Sequence, residues 1–127
     1  MLLKDKTVVI FGGSGAIGSA TALAMAKEGA QIFLAARHAD RLEKAADRVR
    51  AAGGIADTLP LDVLDGVQTT AQVAQLAQRT GGIDIVINAT GFRHDQGKML
   101  EQLSLSEYRQ GFEPFLSAQF TIAQAVA

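Results

Sequence analysis

Apolar and polar residues follow one another along this chain in short blocks, and the blocks switch between strand-like and helix-like periods. Residues 7–11 form an unbroken apolar run after Thr7, the pattern of a strand buried on both faces. An Ala-rich segment over 16–28 reads as a helix, with Gly29 as its stop. A second apolar run at 31–35 leads into a helical segment over 41–52. Asp40 is placed to cap it, Glu43 completes a capping box, and Gly53-Gly54 ends it. The third run, 55–61, is short and carries Pro60; Asp65 then caps a predicted helix over 66–79, closed by Gly81-Gly82. The fourth run, 83–88, is apolar apart from Asp84 and suits a parallel strand covered on both faces. A Gly-containing loop at 90–97 follows. Residues 104–127 read as one long helix, opened by a Ser104–Glu107 capping box and bent or split at Pro114.

Strand and helix alternate four times, so the expected fold class is α/β: a parallel sheet with right-handed crossovers and helices on both faces. The expected strand order is 3-2-1-4, the first four units of a doubly wound, Rossmann-type sheet in three α/β/α layers. A complete sheet of that kind has about six strands, and this chain stops inside helical sequence. Residues 1–127 are therefore expected to form a single domain that is incomplete at its C-terminus.

The junction of the first strand and first helix carries the strongest chemical signal. Gly13, Gly15 and Gly18 fit G-x-G-x-x-G, and they stand between a strand and a helix, where that pattern has physical meaning. Glycine lets the backbone turn tightly and approach a ligand. The helix that opens there directs free N–H groups and its positive dipole end at the turn, which favours a pyrophosphate. The backbone N–H of Ile17 is a candidate for the same contact, with its side chain expected in the core. Ser14 is a candidate hydroxyl donor to phosphate or a turn stabiliser.

Composition narrows the partners. With 48% hydrophobic and 20% charged residues the chain is globular, and a net charge of −1 without a basic block argues against nucleic acid. No cysteine is present, so disulfides and thiolate metal sites are excluded, and His38 and His94 are far apart in sequence. A metal site is not expected. No apolar run approaches the roughly 20 residues of a membrane span, and Lys4, Asp5 and Lys6 follow the first three residues at once, against a signal peptide. A soluble, cytoplasmic protein is the expectation.

These pieces together resemble the short-chain dehydrogenase/reductase family over the whole chain. Its T-G-x-x-x-G-x-G aligns with residues 11–18, where Gly12, Ile17 and Gly18 agree, Phe11 replaces Thr, Ala16 replaces the middle Gly, and Gly15 moves a glycine back by one. Its D-x-x-V-N-N-A-G aligns with residues 84–91; Asn88 and Gly91 agree, while Ala89 and Thr90 depart. Residues 120–127 are similar to the family's fourth helix. The resemblance implies an adenine contact at Asp62 with Val63 beside it, a support for sheet and cofactor pocket at Asn88, and a close approach to a ribose at Gly91. It also implies hydride transfer between a nicotinamide and a carbonyl or alcohol carbon, and a homo-oligomer built on the last helix. The family's catalytic asparagine falls on Phe115, and its Ser and Tyr-x-x-x-Lys would lie beyond Ala127. Tyr108 is not that tyrosine, since position 112 is Phe. No catalytic residue is assigned here, and this segment alone is expected to bind nucleotide without catalysing the reaction.

Arg37 selects the cofactor. A site for NAD(H) wants an acid at the end of the second strand to accept from the ribose 2′-OH, but Ala35 and Ala36 stand there. The guanidinium of Arg37 can instead pair with a 2′-phosphate, assisted by His38 and Arg41. NADP(H) is thus favoured over NAD(H). Arg93, His94 and Asp95 form a polar cluster that reads as a solvated loop. Two alternatives stay open: a non-catalytic nucleotide sensor or pseudoenzyme of the same fold, pointed to by Phe115, and a structural domain whose last helix binds a partner.

Overall fold

The first apolar run becomes the centre of the molecule. A computed structural model describes residues 1–92 and 97–127. In it β1 (Thr7–Phe11) is buried throughout and pairs in parallel with β2 (Gln31–Ala36) on one side and β4 (Ile85–Asn88) on the other. β3 (Ile55–Pro60) adds to the far side of β2, giving the order β3-β2-β1-β4. This is the expected 3-2-1-4 sheet of a Rossmann-like fold.

Alternation along the strands divides the core in two. Val8, Ile10, Ile32 and Leu34 face α1 (Ala16–Lys27) and α2 (Ala39–Ala51), meeting Ala22, Ala26, Leu42 and Val49. Val9, Phe11, Phe33 and Ala35 face the other layer, meeting Val73 and Leu76 of α3 (Gly66–Thr80) and Ala118 and Ile122 of α5 (Glu113–Val126). Each half of the core takes every second residue of the same strands, so either helix layer alone would leave the other strand face exposed.

Local signals hold at several ends. The Asp65 carboxylate accepts from the N–H of Gln68 at 3.0 Å and caps α3. Gly29 and Gly81 follow their helices with φ of 90° and 81°, values open to glycine. Asp84 interrupts an apolar run for a reason: its Oδ2 accepts from the N–H of Thr7 at 2.8 Å, and its own N–H donates to the Thr7 carbonyl. That backbone hydrogen bond, with Lys6 at 3.5 Å, holds the Asp84 carboxyl below the usual carboxylate range.

Four expectations change. α2 begins at Ala39 with His38 at its N-cap and no side-chain cap bond, so Asp40 lies inside the first turn, where its charge still suits the helix dipole. Glu43 does not turn back to form a box; Arg50 takes its carboxylate at 2.5 Å and Asp47 at 3.0 Å. The last segment is two helices, α4 (Leu105–Gln110) and α5, separated at Gly111 and Phe112. Pro114 falls in the first turn of α5, where its missing N–H costs nothing. β4 is half-buried rather than covered, because among the described residues its outer edge has no neighbouring strand. A single 3-10 turn at Leu100–Gln102 precedes α4 and was not foreseen. No helix among the described residues is long and apolar enough to cross a membrane.

The Ser104–Glu107 capping box is present, with each side chain accepting from the other's N–H. Glu107 also holds the Lys98 ammonium. The Lys98 hydrogen bond first, then the Ser104 N–H, take the Glu107 carboxyl from 4.5 down to about 2. A depressed carboxyl stabilises the fold fully above its unfolded value, near 4.3, and that contribution fades as pH falls toward the folded value. Glu107→Gln keeps the box but loses the charge. Between about pH 4.5 and pH 2, the urea midpoint of the variant is expected to fall less steeply than that of the wild type. Parallel slopes would show that this pair does not contribute to acid sensitivity.

Candidate functional site

All four strands deliver their C-terminal ends to one edge of the sheet, and the turn after β1 lies in the middle of it. Gly12 takes φ of 76°, and its N–H donates to the Ala35 carbonyl at 2.8 Å, locking the turn to β2. A Cβ on Gly12 would lie 2.5 Å from the Ala89 carbonyl oxygen and 2.7 Å from the Thr90 nitrogen. A Cβ on Gly18 would lie 2.3 Å from the Gly12 oxygen, and one on Gly13 would lie 2.8 Å from Leu34. These three glycines are therefore required by packing. Gly15 differs: its Cβ would meet only the Gly12 oxygen, at 3.4 Å, and the residue lines a cavity.

Gly15 is the N-cap of α1 and offers no side-chain cap. The first intrahelical bond runs from the Ser19 N–H to the Gly15 carbonyl, which leaves the amides of Ala16, Ile17 and Gly18 without a partner inside the helix. Such amides, at the positive end of twelve aligned residues, have the polarity that suits an anion. The Ile17 side chain corrects an expectation: it is 76% exposed rather than in the core. The buried face of α1 runs through Gly18, Ala22 and Ala26, and Ile17 lies off it.

The cavity beside this turn is about 310 Å³ and touches all four strand ends. Ser14 and Gly15 line it after β1; Ala36 at the end of β2, with Arg37, His38 and Arg41 beyond it; Asp62, Val63 and Leu64 beyond β3; Ala89, Thr90 and Gly91 beyond β4. Among the described residues neither Arg37 nor Arg41 has a carboxylate partner. The end of β2 offers Ala35 and Ala36, and no acid, to the cavity. Asp62 uses Oδ1 to accept from the Leu64 N–H at 3.0 Å, while its own N–H donates to Gln68. With Asp65 as the helix cap, Asp62 shapes the loop and still lines the cavity.

Of the residues singled out in the sequence, Ser14, Gly15, Arg37, Asp62, Val63 and Gly91 meet around one space. Gly13, Ile17, Gly18 and Asn88 are not on its wall. Gly18 acts by letting α1 approach the turn after β1, Gly13 by letting that turn lie against Leu34 of β2, and Asn88 lies behind the wall, bonded to Thr90 and to Gln119 of α5. Leu61, Leu64 and Phe92 join the lining and were not anticipated. They follow the ends of β3 and β4 by a few residues, so the rule that doubly wound sheets bind ligands beyond their strand C-termini could have flagged them. Arg93, His94 and Asp95 lie outside the described residues.

The turn, the switch of strand order around β1 and the cationic rim define a dinucleotide-binding class of α/β protein. The sequence profile of the short chain dehydrogenase family matches residues 6–127, and the chain belongs to that family. An uncharacterized oxidoreductase, YxbG of Bacillus subtilis (strain 168), is 37% identical over 99 residues, which are 78% of this chain and 36% of YxbG. NAD+-bound xylitol dehydrogenase superposes with a TM-score of 0.89 at 25% identity, over 99% of this chain and 48% of its own. A metagenomic short-chain oxidoreductase in complex with NADP superposes with a TM-score of 0.85 at 23% identity, over 98% and 56%, a likeness of fold. The chain spans about half the length of these solved chains and about a third of YxbG.

The closest backbone approach gives a direct test. Gly18→Ala sets a methyl against the backbone of Gly12, which cannot turn aside as a side chain would. The variant is expected to lose about 1–3 kcal/mol of stability, the usual range for an overpacked site, measured by urea denaturation. An unchanged midpoint would show that β1 and α1 can separate.

Proposed function

We propose that residues 1–127 form a single nucleotide-binding domain that takes NADP(H) in preference to NAD(H), and that it serves a short-chain-type oxidoreductase acting on a carbonyl or alcohol. The observation that carries this reading is the pair Arg37 and Arg41, without carboxylate partners among the described residues, on a cavity whose β2 end has no acid. An acid there would accept from a ribose hydroxyl; two guanidinium groups suit a 2′-phosphate.

The residues present fit such a cofactor. The amides of Ala16, Ile17 and Gly18 have no intrahelical partners and would meet the pyrophosphate, with Ser14 beside them. Gly15 leaves the mouth open where a side chain would project toward the phosphates. Asp62 and Val63 line the space on the far side of Arg37 and would hold the adenine, and Gly91 borders the β4 side, where a ribose would pass. The nicotinamide, when bound, would give a hydride to a carbonyl carbon or take one from an alcohol carbon. This chain's own part is to bind and orient.

Two further parts of the reading concern the last helix. Phe115, Leu116 and Phe120 on α5 are exposed large apolar residues, which supports assembly of copies through that helix. Phe115 also supports a second reading, a nucleotide-binding sensor without chemistry. It is 47% exposed at the position where the family carries an asparagine, and a phenyl ring cannot hydrogen-bond a proton-relay water.

Calorimetric titration tests the cofactor assignment. Wild-type chain is expected to bind NADPH at least about tenfold more tightly than NADH, and Arg37→Ala to lose most of that difference. Loss of a hydrogen bond between charged groups is worth about 1.5–3 kcal/mol, roughly ten- to a hundredfold. Equal affinity for the two nucleotides would remove the NADP(H) preference. No binding of either would remove the nucleotide site itself.

A further inference from the structure

Both sides of the Asn88 amide are engaged at the end of β4. Its Oδ1 accepts from the Thr90 N–H at 3.1 Å and from the Thr90 hydroxyl at 2.6 Å. A backbone N–H can only donate, so the oxygen must face Thr90 and Nδ2 must face the other way. There Nδ2 donates to Oε1 of Gln119 at 2.6 Å. One hydrogen bond thus reaches from the last helix to the strand end. The neighbouring helix anchors, Ala118 and Ile122, are buried apolar contacts, which set how close α5 sits without fixing a direction. Gln119 supplies the directional contact.

The contact continues into the cavity wall. Thr90 lines the cavity, and its nitrogen would lie 2.7 Å from a Cβ on Gly12, so wall and turn are in close backbone contact. The Ala89 N–H also donates to the Phe11 carbonyl at 2.8 Å. Displacement of Asn88 moves Thr90, and Thr90 moves against the turn.

We propose that Gln119 is a positioning residue for the β4 side of the nucleotide site, acting through Asn88 and Thr90 to hold the wall formed by residues 89–91 against the β1 turn. This rests on the nucleotide-binding reading above. The strand order makes the effect one-sided. Arg37 and Asp62 stand on the β2 and β3 side of the turn, and Thr90 and Gly91 on the β4 side. A ligand confined to the adenine half touches only the first side; a whole dinucleotide spans both.

The test compares NADPH with adenosine 2′,5′-bisphosphate by calorimetry on the purified wild-type, Gln119→Leu and Gln119→Glu chains, with urea midpoints alongside. Leucine removes the acceptor, whereas glutamate keeps one for Asn88 Nδ2. Gln119→Leu is expected to weaken NADPH roughly fivefold, the scale of one lost hydrogen bond, and to leave the bisphosphate affinity unchanged; Gln119→Glu is expected to bind NADPH like the wild type. Unchanged NADPH affinity in Gln119→Leu, or equal weakening of both ligands, would overturn the proposal while leaving the nucleotide site in place. A wild type that binds neither ligand would overturn the underlying reading, and this proposal with it.

Discussion

The structure depends on how closely the backbone of α1 comes to the backbone that leaves β1. A side-chain carbon on Gly18 would sit 2.3 Å from the Gly12 oxygen, well inside any allowed contact. Because both residues lack that carbon, the helix begins directly over the strand end. Its free amides then face the open edge of the sheet. The same closeness lets Ala22 and Ala26 of α1 pack on Val8 and Ile10, and the small side chains of α1 are those such a short separation permits. The exposed amides and the core packing thus share one geometric requirement.

Position in the sheet makes that requirement consequential. β1 has a parallel neighbour on each side, and the connection from β1 leads one way while the chain later returns on the other. The turn after β1 therefore lies where loops diverge, and a cleft opens between them. Loops from β2 and β3 bring cations and a carboxylate to one flank, and the loop from β4 brings small, backbone-rich residues to the other. One flank carries charged side chains, the other mainly small side chains and backbone. Gln119 of α5 bonds Asn88, which in turn bonds Thr90 of the wall, so the helix with the exposed aromatic residues is linked to the cleft through Asn88.

Much of this could be read directly from residue order. The runs at 7–11 and 31–35 are apolar because both sheet faces are covered, and their short length between turn signals marked them as strands. Asp65 and the Ser104–Glu107 pair marked helix starts, since local side-chain caps depend only on near neighbours. Asp40 does not cap α2 because the helix starts one residue before it, and Glu43 is held by Arg50, two turns further along, a partner no near-neighbour rule identifies. Pro114 announced a break, but whether it would kink one helix or open another depended on Gly111 and Phe112 breaking the chain just before it.

By itself the sequence determined the alternation of elements, the glycine turn and the absence of an acid at the end of β2, which local periodicity and residue type carry, and the doubly wound pattern pointed from there to the strand order. Tertiary structure decided the rest. Only the assembled sheet brings Arg37, Asp62 and Gly91 around one cavity, since they come from three separate loops. Only contact between layers distinguishes the glycines that packing requires, Gly12, Gly13 and Gly18, from Gly15, which leaves the mouth open. The partnership of Asn88 with Gln119 spans 31 residues, and no local pattern encodes a hydrogen bond between a strand end and a helix that pack together only when the sheet is complete at β4.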